Sequence, residues 1–319
     1  MWDGEEVEMK LREKRKAGHN GKQLPEPLVD ERQALAELSS IANGRSKLSL
    51  DRFFELGAFF AAQKAKHGKE IEEREASILR AYEGFSEAER VEFFSMLYDR
   101  FADSYDRHMG EETGHFDAMK KALEFAGPFI RRPLLDITCG TGELLSHTLG
   151  LMELFEKLRM RMINGSLVRT PGGDEGAIVA NEISAKMLEI AQRKMPGDRV
   201  AFTRLNAMDL PVNWQFATVI CSQTMHIISE EDKTRMVRSM HRVLSRGGVA
   251  IVIEEDPFLI SPSSSIEGIE LFLRAVAKPV TKSALIGYFE SAGFRNTGHS
   301  ATCPIDSKHV MGLHIFEKT

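Results

Sequence analysis

Two glycines, Gly140 and Gly142, stand between two carboxylates, Asp136 and Glu143, in the stretch LLDITCGTGELL from Leu134 to Leu145. The stretch is apolar, breaks at the glycines and resumes with helical spacing. A chain that leaves a strand through a glycine turn and enters a helix brings backbone close to a ligand with no Cβ in the way. The flanking residues restrict what that ligand is. A dinucleotide fingerprint has a third glycine three residues after the second, where Leu145 stands. A Walker-type phosphate loop continues with Lys and then Ser or Thr, where Glu143 and Leu144 stand. Phosphate is therefore a poor fit, and the carboxylates favour a ligand with a cationic or neutral end.

Later stretches add groups of matching chemistry. In IVANEISAKMLEIAQRKM, Glu182 ends a strand just before a helix that Ser184 caps. A carboxylate there can accept both hydroxyls of a ribose, although an ordinary acid at a strand end reads the same way. FTRLNAMDLP places Asn206, Ala207 and Met208 after the next strand, an amide and apolar groups that suit the edge and face of adenine. QFATVICSQTMHII then ends a strand in small polar residues, and HRVLSRGGVAIVIEEDP gives a helix, a Gly-Gly turn and a strand. A ligand with a sulfonium, an amino group, a ribose and an adenine fits all of these: S-adenosylmethionine.

These residues need a parallel sheet to bring them together. From Pro133 onward, short β-branched runs alternate with helical ones, the pattern of βαβ units. It predicts strands at 133–138, 177–182, 200–205, 216–222 and 248–254, with helices at 185–195 and 230–245 among the connections. The end of the chain predicts a helix in TKSALIGYFESAGF and an antiparallel hairpin formed by RNTGHSATCPID and HVMGLHIFEKT. Before this region the pattern is helical from Ser49 to about Met109, with one helix ending at Gly68 and another opened by the Ser86/Glu89 capping box. Phe93, Phe94, Leu97 and Phe101 share one face of the latter, as core or as part of a cavity wall. Residues 1–48 are polar and loop-prone, with one helix near 30–41, and the charge run Arg12–Lys16 reads as a solvated face.

In these blocks and their order the sequence resembles the class I S-adenosylmethionine-dependent methyltransferases, in particular the small-molecule branch that includes ubiquinone/menaquinone methyltransferases. The resemblance runs from about Tyr98 to Thr319. It implies a Rossmann-like seven-stranded methyltransferase sheet, mostly parallel with a C-terminal antiparallel hairpin, preceded by a helical region. The implied division is a polar extension (1–48), a helical cap (49–115) and a cofactor-binding domain (116–319). By resemblance Asp136, Thr138, Gly140 and Gly142 line the methionyl side, Glu182 and Ile183 the ribose, and Asn206, Ala207 and Met208 the adenine. Ser222 and Gln223 would flank the methyl group, and FADSYDRHMGEETGHF looks like the segment that closes over the cofactor. Two departures stand out: the family commonly has Asp where Asn206 stands, and Gly142 lies about twice as far from Glu182 as usual. The second implies a lengthened helix and an inserted loop at 163–176.

Methyl transfer from a sulfonium needs alignment and exclusion of water more than a strong base. Candidate bases are His226, just beyond a strand end, and Tyr105, with His108, His115, Glu254 and Glu255 behind them. No spacing suggests a metal site. The Asn/Asp-Pro-Pro-Tyr/Phe motif of nucleic-acid amino methylases is missing where CSQTM stands, and Cys221 follows Ile220 rather than proline. Nucleic acid is therefore an unlikely partner, and a small, partly apolar acceptor is the leading expectation. An RNA or protein methyltransferase docking through the N-terminal helices, and a non-catalytic binding module, are the alternatives. The helices could also join two copies of the chain.

Composition agrees with a folded chain. The 319 residues are 42% hydrophobic and carry a formal net charge of -5. Three scattered cysteines suggest neither a disulfide framework nor a zinc site. No apolar run is long enough to span a membrane, and the charged N-terminus lacks the apolar stretch of a signal peptide, so a cytoplasmic protein is expected.

Overall fold

The computed structural model describes residues 31–42, 49–62, 68–158, 160–163, 166–169, 176–256, 270–307 and 309–319. The expected polar extension lies outside these residues apart from its helix, as do the Arg12–Lys16 run and the serine-rich loop at 261–265. At the centre is a seven-stranded sheet. Its parallel strands are β1 (Leu134–Asp136), β4 (Ile178–Asn181), β5 (Ala201–Thr203), β6 (Phe216–Ser222) and β7 (Leu244–Asp256). The antiparallel pair β8 (Phe294–Pro304) and β9 (Val310–Lys318) completes it, and β9 inserts beside β7. The order β5-β4-β1-β6-β7-β9-β8 steps outward from β1 on one side and returns to its other side at β6. Between β1 and β6 the carboxyl ends diverge, and in such sheets that crevice takes the ligand.

β1 and β4 are fully buried along their length, as expected of strands covered on both faces by helices. The covering helices are α5 (His115–Ala126), α6 (Glu143–Leu158), α7 (Ala185–Lys194), α8 (Glu230–Val243) and α10 (Lys282–Ser291). Ser184, Ser229 and Thr281 cap α7, α8 and α10, each accepting from a backbone N–H three residues on. The expected helix at 230–245 stops at Val243, and β7 begins at Leu244, earlier than expected. Its pairing with β6 starts there and shifts register between Phe216 and Thr218, so the Gly-Gly pair lies within the strand. The insertion between Gly142 and Glu182 is also more than a loop. It contains an antiparallel hairpin, β2 (Met160–Ile163) with β3 (Ser166–Arg169), separate from the main sheet.

The preceding helices are α1 (Glu31–Ala42), α2 (Leu50–Ala62), α3 (Gly68–Glu83) and α4 (Glu87–Asp106). Gly68, expected to end a helix, opens α3 instead. The capping box is present at α4: Ser86 Oγ accepts from Glu89 N, and Glu89 Oε2 accepts from Ser86 N at 2.8 Å. Phe93, Phe94, Leu97 and Phe101 are all buried. They join an aromatic core with Phe53, Phe54 and Tyr82, in which Phe54 stacks on Phe93 at 5.4 Å. A helix from the other end of the chain, α9 (Glu270–Val276), packs on α2 and α3 and brings Phe272 to 4.9 Å from Phe54. This apolar surface is spent inside the chain. The same hydrophobic cluster continues into β6, β7 and α8 through Val219, Val252 and Met236, so the helices and the sheet share a core.

Gly57 is the point of closest approach in that aromatic core. A Cβ there would lie 1.8 Å from Phe272 Cζ, inside a ring with nowhere to move. Gly57→Ala is expected to destabilise the protein by about 1–3 kcal/mol, the usual cost of overpacking. A lower urea midpoint for the variant checks this, and an unchanged midpoint would contradict the docking of α9 on α2.

Candidate functional site

The carboxyl ends of β1, β4, β5 and β6 open into a cleft. Its floor is built by hydrogen bonds between strand ends. Asn181, 1% exposed at the end of β4, donates through Nδ2 to Ile137 O and Leu205 O, both at 3.0 Å. Its Oδ1 accepts from Leu205 N at 2.9 Å and from Thr203 Oγ1 at 3.0 Å. One amide at the end of β4 thus joins the loops after β1 and β5, with its polar atoms satisfied as burial requires. Sequence reasoning missed it; the only signal was an amide ending an apolar strand.

Glu182 follows it. Its Oε2 accepts from Gly140 N and its Oε1 from Ser184 N, both at 2.9 Å. The carboxylate therefore ties the glycine turn to the start of α7, and each oxygen keeps a lone pair for a ligand hydroxyl. Burial raises its pKa, against the N–H groups of Ser184, Gly140 and Ile183 that favour the charged form. Gly140 has φ +54°, and only Tyr105 Cε1, at 3.8 Å, would face a Cβ there. This is an open stretch of backbone in the wall of the cleft.

Of the expected cofactor residues, Thr138, Gly140, Glu182, Ile183, Asn206, Ala207, Met208, Ser222 and Gln223 all line this one cleft. Asp136 and Gly142 are not among its lining residues. Gly142 has φ +79°, and a Cβ there would fall 2.6 Å from Met195 Cε and 3.0 Å from Ala191 Cβ, so this glycine lets the turn pack on α7. Asp136 is 1% exposed beneath the turn. Burial, with the Glu182 charge adding, pushes its carboxyl up to about 7, while the Thr138 N–H opposes the shift. Glu143 turns outward to Lys120 at 2.6 Å and Lys194 at 3.1 Å, so it does not bracket the ligand as expected. Asn206 spends Oδ1 on Met208 N at 3.1 Å, capping a short 3₁₀ turn at Ala207–Asp209.

The candidate bases separate clearly. Tyr105 lines the cleft. Burial and the Glu182, Asp106 and Asp136 charges raise its pKa, so its hydroxyl is a hydrogen-bond donor at neutral pH. His226 is 4% exposed and does not line the cleft; its Nδ1 lies 2.7 Å from Glu254 Oε2. Glu254 Oε1 accepts from Thr224 N at 2.9 Å and Met225 N at 2.7 Å, so this pair shapes the turn after β6. His115 is engaged at both nitrogens, by Thr113 Oγ1 at 2.6 Å and Glu255 Oε2 at 3.1 Å. His108 is buried against Phe101. Gln223 holds φ +50°, uncommon for a residue other than glycine, and is fixed by its N–H on Ile253 O at 2.9 Å. Cys221 is buried, its thiol pushed well up by burial, which argues against a nucleophile.

The roof of the cleft is α4, which supplies Val91, Phe94, Tyr98 and Tyr105. Of these, the sequence pointed to Tyr105 as a site residue and to Phe94 as core or cavity wall, and it gave no signal for Val91 or Tyr98. The roof is tied to the loops below it at three places. Ser95 Oγ donates to Ile183 O at 3.2 Å. Asp99 Oδ1 accepts from Ser184 Oγ at 2.5 Å and Lys186 N at 3.0 Å. Asp106 accepts from Thr141 Oγ1 at 2.5 Å and pairs with Lys194 at 2.6 Å.

Sheet order, switch point and the carboxylate beside the glycine turn define the class I S-adenosylmethionine-dependent methyltransferase fold. In agreement, residues 164–248 match the family described as Methyltransferase domain. The match contains β4 to β6 and the start of β7 and lies downstream of the glycine turn. The chain is 26% identical over 148 residues to the ubiquinone/menaquinone biosynthesis C-methyltransferase UbiE of Pectobacterium carotovorum subsp. carotovorum, covering 45% of this chain and 51% of that protein. It is 24% identical over 172 residues to a dTDP-4-amino-2,3,4,6-tetradeoxy-D-glucose N,N-dimethyltransferase of Saccharopolyspora spinosa, covering 50% and 60%. The chain thus spans about half the length of the curated relatives it matches first. Among solved structures it is similar to a S-adenosylmethionine-dependent methyltransferase, possible histamine N-methyltransferase, of Thermotoga maritima. That similarity has a TM-score of 0.47 and 16% identity over 70% of this chain and 99% of the other. Among the described residues, no helix is long and apolar enough to cross a membrane.

The residues present suit an adenosyl cofactor: a carboxylate for the ribose, open backbone at Gly140 and apolar side chains for a base. Glu182→Ala is expected to weaken S-adenosylhomocysteine binding by about 1.5–3 kcal/mol, the worth of hydrogen bonds to a charged group. It should also lower the thermal midpoint, because it strands the N–H groups of Gly140 and Ser184. Calorimetry and a melting curve test the two effects separately. The raised Asp136 carboxyl predicts a pH dependence. Its folded value lies above the ordinary 3.8, so its contribution to stability is present below about 4 and lost as pH rises through about 7. A cationic ligand favours the ionised form. Affinity for S-adenosylmethionine should rise with pH up to about 7 and then level, with proton release on binding near pH 6. Titration in two buffers of different ionisation enthalpy measures that release.

Proposed function

We propose that this protein transfers the methyl group of S-adenosylmethionine to a small, partly apolar acceptor at oxygen, carbon or nitrogen. The observation that carries the reading is the single cleft that collects Gly140, Glu182, Asn206 and Gln223 from four different loops at the switch point. When bound, the cofactor supplies an electrophilic methyl carbon, and most of the driving force resides in it. The chain's own residues hold and orient. Glu182 takes the ribose, the Gly140 backbone lies along the methionyl side, and Ile183, Ala207 and Met208 enclose the base. α4 covers the cleft with Phe94, Tyr98 and Tyr105, which excludes water from the transfer. Tyr98 and Tyr105 remain protonated, with burial as the first cause, and can donate hydrogen bonds to an acceptor. Among the described residues that line the cleft there is no histidine or lysine to act as a base, which suits an acceptor that needs alignment more than deprotonation.

The inward packing of the helical region supports a small acceptor over a docked macromolecule. Its phenylalanines fill a core rather than present a surface.

In calorimetric titration, S-adenosylmethionine and S-adenosylhomocysteine should bind, and NAD and ATP should bind far more weakly. Tighter binding of NAD would overturn the reading. Incubating cell extracts with a methyl-labelled donor and profiling the labelled metabolites would then identify the acceptor; label in RNA or protein alone would point to the macromolecular alternative.

A further inference from the structure

The cleft has a polar end that the sequence did not foretell. Where α4 faces α8, its apolar walls are Val91, Phe94, Ile228 and Met236, and its charged groups are Arg90 and Asp232, with Glu87 beside them. α8 packs on the 3₁₀ turn that carries Ala207 and Met208, so this end adjoins the expected adenine loop. Arg90 Nε and Asp232 Oδ2 lie 3.6 Å apart, close enough to attract but too far to hydrogen-bond. Arg90 Nη1 is anchored on Phe85 O at 2.9 Å. Asp232 is 4% exposed; its Oδ2 accepts from Ser229 Oγ at 2.7 Å, and its Oδ1 faces Arg235 Nη1 at 3.6 Å.

Two buried donors here have no hydrogen-bond partner: Arg90 Nε and the hydroxyl of Tyr82, itself 4% exposed. Burial raises the pKa of that hydroxyl, with the Asp232 charge adding and the Arg90 charge opposing, so it remains a donor at neutral pH. Folded proteins leave few such donors unsatisfied, and a cluster of them beside a cleft is a place where a ligand or ordered water completes the set. The neighbouring adenine loop points to a ligand. Asn206 brings an amide rather than a charge to the cleft, and its Oδ1 already accepts the Met208 N–H. The carboxylate of that loop, Asp209, is exposed beside Arg242 and does not line the cleft, whereas Asp232 on α8 does.

We propose that Arg90 and Asp232 read the edge of the cofactor's purine, the carboxylate accepting from the 6-amino group while the guanidinium donates to the ring nitrogen beside it. The inference rests on the S-adenosylmethionine reading above and adds a specificity pair drawn from the roof helix and α8. An adenine edge presents a donor and an acceptor side by side and matches this pair. A 6-oxo purine reverses both, and with the ribose fixed at Glu182 it cannot simply turn over.

The test is calorimetric titration with S-adenosylhomocysteine and S-inosylhomocysteine, which differ only at that edge. The wild-type protein should prefer the adenine ligand by roughly tenfold or more, the scale of a hydrogen bond to a charged group. Asp232→Asn and Arg90→Lys should each weaken the adenine ligand and narrow the preference to about threefold or less, with folding confirmed by circular dichroism. Should Asp232→Asn fail to fold, Arg90→Lys at its half-buried position carries the same comparison. Equal binding of the two ligands by the wild type, or an undiminished preference in a folded variant, overturns the pair. If neither nucleoside binds, the cofactor reading itself fails. If both bind equally and Glu182→Ala abolishes both, the cofactor reading stands and only the edge-reading pair falls.

Discussion

The Glu182 carboxylate is the interaction on which the site depends. It accepts one N–H from the glycine turn after β1 and one from the start of α7, so two loops from neighbouring strands are fixed by one side chain. Neither N–H is satisfied by the sheet, and a buried donor without a partner costs roughly 1–3 kcal/mol. The same carboxylate lines the cleft. Architecture and binding chemistry thus rest on one group, and Asn181 beside it performs the purely architectural half by joining the ends of β1, β4 and β5.

A second constraint is the roof. α4 is tied to the cleft where Ser95, Asp99 and Asp106 each bond to a loop that frames it. Its other side is held by apolar packing on α2, α3 and α9. The helix therefore couples the aromatic core, far from any chemistry, to the geometry of the cleft.

Buried charge is arranged economically around this frame. Glu254 and Glu255 are adjacent at the end of β7, and strand alternation sends them opposite ways. Glu254 holds the turn after β6 with His226, and Glu255 holds the start of α5 with His115. These histidines are more than nine-tenths buried and serve as hydrogen-bonded struts, which explains why they stand apart from the lining of the cleft. The strain at Gln223 belongs to the same turn and is sustained by its bond to Ile253.

Much of this was legible in the sequence because it depends on local rules. Alternating strands and helices, the Ser86/Glu89 box and the cap at Ser184 follow from side-chain spacing and backbone donors near in sequence. Glu182, Asn206 and Gln223 were legible for a related reason: in a parallel sheet, residues just after strands gather at one edge. The exceptions were matters of packing. Gly142 reads like Gly140, but only the position of α7 shows that it accommodates Ala191 and Met195. Glu143 reads as part of the site until Lys120 and Lys194, from two other helices, draw it away. The joining of α9 to the N-terminal helices and the meeting of Arg90 with Asp232 link residues more than a hundred positions apart. Spacing within a segment sets which face a side chain occupies, whereas its partner across such a distance is chosen only when the whole core closes.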